Sequence, residues 1–192
     1  MDNNLFKELR EIVIDVESKS SVDYVINLAK KGNWHMIYLL SKLLSREVSI
    51  LVDSKGNYFV DWGTIGRVEL NPPVGAVIPF KLWVHTHPSN TAYWSITDRN
   101  TLEFAKGILD KALVLGDNGL LSTTLQPISS STDDTVYPNL QWTEEEVIGW
   151  LEYNSDNLSS DFVEEIYSPE FRAKWIRRRI LTDDFASDGN DW

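Results

Sequence analysis

Two of the chain's three histidines and an aspartate fall within one stretch, His85-Thr86-His87-Pro88-Ser89-Asn90-Thr91-Ala92-Tyr93-Trp94-Ser95-Ile96-Thr97-Asp98. These residue types can hold a metal. The run before it, Phe80-Lys81-Leu82-Trp83-Val84, is β-prone and places His85 and His87 at the end of a strand. Residues i and i+2 there share a face about 7 Å apart at the Cα, so two imidazoles can converge on one ion. Pro88 cannot continue a central strand, and the chain turns away after it. Ser95-x-x-Asp98 then opens a helix expected from Ile96 to about Leu109, whose first turn can return Asp98 toward the histidines. Two neutral imidazoles, a carboxylate and a fourth position left to water describe a catalytic zinc rather than a structural one. A structural site would want a further ligand, usually Cys, and the chain contains none. Two plainer readings stand beside this one. A His-x-His pair can be a surface accident, and Ser-x-x-Asp is a variant of the capping box, which needs no metal.

His-Thr-His-Pro at 85–88, the seven residues from Pro88 to Trp94, and Ser95-x-x-Asp98 together resemble the signature of the JAMM (MPN-plus) metalloproteases, zinc isopeptidases that cut ubiquitin and ubiquitin-like conjugates. The same string occurs in RadC-like proteins, which share the fold. The resemblance covers roughly Trp34 to Leu125, about half the chain. It implies that His85, His87 and Asp98 bind Zn2+, that Ser95 helps stabilise the tetrahedral intermediate, and that an upstream Glu serves as general base toward the attacking water. Family members place that Glu at the start of a strand directly after a helix. Trp34 to Leu44 reads as the helix and Glu47-Val48-Ser49-Ile50-Leu51-Val52 as the strand, so Glu47 takes the role. Glu69 is too close to His85, and Glu8, Glu11 and Glu17 sit on an earlier helix. One position departs from the pattern: many members carry Gly three residues after this Glu, where Ile50 stands.

The elements around the motif form an α/β chain. Leu5 to about Val16 has helical apolar spacing, and Ser20-Ser21-Val22-Asp23 reads as the cap of a second helix that Gly32 ends. After the Glu47 strand, Asp53 to Asn57 supplies turn chemistry and Tyr58 to Trp62 a returning strand. Gly63 to Leu70 contributes a further strand. Lys111 to Leu115 and Leu120 to Leu125 flank Gly116-Asp117-Asn118-Gly119, a hairpin signal. With the strand from Phe80 these make a mixed sheet of about six strands. By resemblance this is the JAMM-type, cytidine-deaminase-like sheet flanked by helices, with extra N- and C-terminal helices, and residues from about Trp62 to Pro79 border the substrate cleft. Thr143 caps another helix with acids in its first turn, and Ser168-Pro169-Glu170 begins one more. The latter carries Arg172, Lys174, Arg177, Arg178 and Arg179, a solvated or internally paired face, or a dock for an acidic partner. The expected organisation is a helical extension over 1–33, a catalytic core over 34–126, a loop and packed helices over 127–182, and an acidic tail over 183–192.

At 192 residues and 42% hydrophobic, the chain can bury one good core. A net charge of -11 argues against nucleic acid as a partner, since phosphate contacts need clustered cations. Without cysteine there is no disulfide, thiolate site or Cys nucleophile. The N-terminus lacks a basic region followed by an apolar one, so a cytoplasmic protein without a membrane partner is expected. The functional expectation is a zinc isopeptidase acting at the C-terminal tail of a ubiquitin-like protein, in deconjugation or precursor processing. Prokaryotic JAMM proteins of this arrangement occur beside ubiquitin-like, E1-like and E2-like partners, some in antiviral systems, and family members often form homodimers. The alternatives are a zinc hydrolase of a small amide or sulfur-carrier adduct, and a non-catalytic MPN scaffold.

Overall fold

Ser18 starts the first helix in the computed structural model, which describes residues 15–64, 70–128 and 139–153. Its Oγ accepts the Ser21 N–H at 3.2 Å and opens α1 (Lys19–Lys30). The cap therefore lies ahead of the expected Ser20–Asp23 run, because Ser21 is buried and donates its own hydroxyl to the Asp15 carbonyl. Gly32, at φ +68°, follows the helix in the left-handed conformation that a C′ glycine supplies without strain. Asn33 then caps α2 (Trp34–Leu44) by accepting the Met36 N–H at 3.3 Å. Every residue from Trp34 to Ser41 is buried, the pattern of a helix enclosed on all sides.

The sheet contains β1 (Val48–Val52), β2 (Tyr58–Trp62), β3 (Leu82–Thr86), β4 (Lys111–Gly116), β5 (Gly119–Pro127) and β6 (Leu140–Trp142). Its spatial order is β2-β1-β3-β4-β5-β6. Every neighbouring pair is antiparallel except β3 and β4, which run parallel and are joined through α3 (Ile96–Phe104), the crossover that a parallel pair requires. With the single turn of α4 (Trp150–Tyr153), four helices accompany this open, mixed sheet among the described residues. None of those helices is long and apolar enough to cross a membrane.

Register assigns the two faces. Leu51 pairs with Trp83 and Ser49 with His85 across β1 and β3, while Trp83 pairs with Ala112 across β3 and β4. That face carries α3. Leu51, Trp83 and Ala112 pack with Phe80, Leu102, Ala105 and Leu109 into one apolar cluster, and the Trp142 indole closes it by donating to the Leu102 carbonyl at 3.0 Å. Thr86 lies on the opposite face, where its hydroxyl meets Ser41 of α2 at 2.6 Å.

Several boundaries differ from the sequence reading. β3 runs two residues later than the expected Phe80–Val84, because Phe80 makes only an isolated parallel bridge with Leu109. That bridge also ends α3 at Phe104 rather than near Leu109: burying Leu109 beside Phe80 requires the chain to leave the helix, and Gly107 makes the turn at φ +85°. The expected helix from Thr143 is absent. Thr143 instead exchanges hydrogen bonds with Thr124, its N–H donating to the Thr124 carbonyl at 3.0 Å and its hydroxyl accepting the Thr124 N–H at 2.8 Å. Pairing along β5 thus outweighs a capping preference worth about 1 kcal/mol. The preceding residues form β6, which the sequence reading did not contain. Most of the expected Leu5–Val16 helix and Gly63–Leu70 strand, and all of the Ser168 helix, the basic cluster from Arg172 to Arg179 and the acidic tail, lie outside the described residues.

His35 sits buried in the first turn of α2, its ring stacked on Trp150 with centroids 4.6 Å apart and planes 9° from parallel. Burial pushes its pKa down from 6.5 to about 4. As pH falls between those values the unfolded chain takes up a proton that the folded chain does not, so stability is full above the upper value and declines through the window. From pH 7 to pH 5 the protein should lose about 1–2 kcal/mol more, by urea titration, than His35→Phe. Equal losses in the two proteins would exclude the imidazole as the cause.

Candidate metal centre

β3 delivers both histidines. Alternation along the strand puts His85 on the face of Trp83, with the rings stacked at 4.6 Å, and His87 follows the strand end with its N–H donating to the Leu115 carbonyl at 2.7 Å. The two imidazole centroids are 5.1 Å apart. Tyr93 lies against His87 at 4.8 Å and Trp94 against His85 at 5.8 Å, so aromatic rings shield the pair.

Asp98 arrives from α3. Ser95 caps that helix: its Oγ accepts the Asp98 N–H at 3.1 Å, and the Asp98 carboxylate returns to accept the Ser95 N–H at 2.8 Å. This is the reciprocal capping box. The same carboxylate places Oδ1 3.2 Å from His85 Nε2 and Oδ2 3.6 Å from His87 Nε2. The capping and metal readings of Ser-x-x-Asp are therefore compatible, since one carboxylate occupies both settings.

One donor atom from each of His85, His87 and Asp98 lies within 4.8 Å of the others, and all three residues are buried. Ligand bonds of about 2.0–2.1 Å around a tetrahedral ion separate ligand atoms by about 3.3 Å. The Asp98 to histidine distances are close to that spacing. Nδ1 of His85 has no hydrogen-bond partner among the described residues, and Nε2 of both histidines faces the Asp98 carboxylate. Buried nitrogens without partners are costly unless something else takes their lone pairs. The group could hold a metal ion.

The electrostatics agree with the donor chemistry. Burial, aided by the neighbouring His85, pushes the His87 pKa down to about 4 against the opposing pull of Asp98. The ring is accordingly neutral near pH 7, as a ligand must be. For Asp98, burial acts to raise the pKa, but His85 and the hydrogen bonds from Ser95 together hold it far below the usual carboxylate range.

Glu47 is not a member of the triad. Its backbone continues β1 alongside β2, with its N–H donating to Thr64 and its carbonyl accepting from Gly63. Strand alternation then gives Glu47 the face of Ser49, which is the face of His85. The side chain is buried. Ser95 is half-buried beside the triad, at the cap of the helix that carries Asp98.

The sequence reading missed how the segment between His87 and Ser95 is held. The turn between β4 and β5 grips it: Asn118 Oδ1 accepts the Ala92 N–H at 2.8 Å, and the Asp117 N–H donates to Asn90 at 3.0 Å. Gly116 permits the approach, because a Cβ there would overlap the backbone of Thr91 and Ala92. The Gly-Asp-Asn-Gly run signals the hairpin alone and carries no mark of this second use.

Compared with protein-family models, with curated proteins and with solved structures, the chain matches none.

Two outcomes follow from this geometry. Asp98→Asn retains a carbonyl oxygen for the Ser95 N–H but loses the charge, so metal affinity should fall by more than about 100-fold, beyond the usual loss for an outer-shell partner. Its metal-free melting temperature should stay near that of the native protein, whereas Asp98→Ala should lower both. Calorimetric metal titration beside thermal melts reads the two effects. Gly116→Ala should cost about 1–3 kcal/mol in denaturant unfolding, because the clash is with backbone rather than with a side chain that can rotate.

Proposed function

We propose that this protein is a zinc-dependent isopeptidase that cleaves an amide bond at the C-terminal tail of a ubiquitin-like protein. The observation that carries the reading is the buried triad of His85, His87 and Asp98 at the spacing that resembles the JAMM signature, with Ser95 capping the helix of Asp98 and Glu47 on the same sheet face. His85, His87 and Asp98 would hold the ion. When bound, zinc supplies a Lewis acid that polarises a carbonyl and makes water a competent nucleophile near neutral pH.

The chain's own groups do the rest. Glu47 removes a proton from the attacking water and passes it to the departing amine, which is a poor leaving group until protonated. Ser95 accepts the Asp98 N–H through a lone pair, which leaves its own proton to donate to the oxyanion. That hydrogen bond strengthens as charge develops, so it acts on turnover more than on binding. Asp98, held by its cap, keeps the negative charge that the triad contributes.

Incubating the protein with ubiquitin-like conjugates should give cleavage that a chelator abolishes and zinc restores. Glu47→Gln should retain stoichiometric zinc while kcat falls by about 10²–10⁴-fold. Ser95→Ala should lower kcat by about 10²–10³-fold with little change in KM. A zinc-loaded protein that leaves every conjugate intact yet hydrolyses a small amide would replace this substrate class with the alternative.

A further inference from the structure

Pairing of β1 with β3 ends at Ser49 and His85. One residue further out, the Val48 N–H points toward β3 and finds the Thr86 hydroxyl at 2.9 Å instead of a backbone carbonyl. Thr86 Oγ1 lies 2.6 Å from Ser41 Oγ, and Ser41 donates to the Arg46 carbonyl at 2.7 Å. Because Ser41 gives its single proton to Arg46 and Thr86 accepts from Val48, the proton between the two hydroxyls belongs to Thr86. The chain runs in one direction: Val48 N–H to Thr86, Thr86 to Ser41, Ser41 to the Arg46 carbonyl. Thr86 and Ser41 are fully buried, so no solvent replaces a lost member.

The two ends of this chain, Arg46 and Val48, bracket Glu47. On its β2 side Glu47 is secured by its own backbone bonds to Gly63 and Thr64, while Arg46 donates to the carbonyls of Gly63 at 2.9 Å and Trp62 at 3.1 Å. On the β3 side, the described hydrogen bond that joins this end of β1 to the histidine strand passes through Thr86.

We propose that the Thr86 hydroxyl is a positioning group that fixes the Glu47 end of β1 against the strand bearing His85 and His87. The middle residue of His-Thr-His thus acts on the face away from the ion. It sets where the carboxylate stands relative to the two imidazoles while leaving the imidazoles themselves to β3 and β4. For its catalytic part this rests on the zinc-peptidase reading; the geometric part does not.

The test compares the native protein with Thr86→Val, which keeps the shape and loses the hydroxyl, with Thr86→Ser, which restores it, and with Ser41→Ala as a second break in the chain. Cobalt(II) is the probe, bound to the full-length protein, and paramagnetic shifts of backbone amides report distance and direction from the ion independently of turnover. In Thr86→Val the shifts of Glu47 and Val48 should move while those of Leu113, Val114 and Leu115 remain. Thr86→Ser should return the native values, and Ser41→Ala should show a smaller displacement at the same two residues. Zinc affinity should change by less than about twofold and kcat should fall about 10- to 100-fold in Thr86→Val, as expected for a group moved out of place. Unmoved Glu47 and Val48 shifts in both Thr86→Val and Ser41→Ala would overturn the proposal, as would equal disturbance by Thr86→Ser. Should the native protein cleave no conjugate, the isopeptidase reading alone fails, and the cobalt shifts still decide the role of Thr86.

Discussion

One carboxylate holds the site together. Asp98 accepts the Ser95 N–H at the start of its own helix through Oδ2 and, with Oδ1 and Oδ2, lies against two imidazoles on a different element. An ordinary capping box tolerates several residue types at N3, because any side chain that returns an oxygen to the N-cap amide serves. Here the choice narrows to a charged group of this length, since the oxygens must also reach the end of β3. Helix position, helix capping and ligand geometry are therefore one constraint, and neither the helix start nor the strand end can shift without breaking it.

The sheet supplies the other half. A parallel pair needs a crossover, and the crossover here contains the loop after His87 and the helix that returns Asp98. Crevices at the carboxyl ends of strands are the common place for sites in open α/β sheets. β1 is antiparallel to β3, so the beginning of β1 reaches the same edge where β3 ends, and Glu47 comes to that edge without any insertion. Among the described residues, the opposite face holds no member of the candidate metal triad. It supplies the enclosed helix α2, and through Ser41 and Thr86 it governs how the two strands meet.

Much of the site is legible in the sequence. His85, His87, Asp98 and Ser95 stand in one stretch whose strand, turn and helix signals are local, so spacing alone places them together. Glu47 was harder. Its role rests on resemblance to a family, and alternation plus register gives it the same face as His85. The misreadings share a cause. Thr143 looked like a helix cap because the residues after it are acidic, but the free edge of β5 offered its backbone better partners than an isolated first turn could. The ends of α3 and β3 shifted for a related reason, as Phe80 and Leu109 meet only in the tertiary fold. Local propensity is blind to partners that arrive from elsewhere in the chain.

His85, His87 and Asp98 follow one another within a single strand-loop-helix unit, whereas Glu47 immediately precedes β1, which a long connection after its hairpin separates from that unit. Under the proposed function, chelation and proton transfer therefore belong to separate parts of the polypeptide. On that same proposal, drift in the first hairpin would leave a descendant that still sequesters an ion yet no longer turns over, a ready route from enzyme to scaffold. Ion content would then be a poor guide to which of the two a given relative has become.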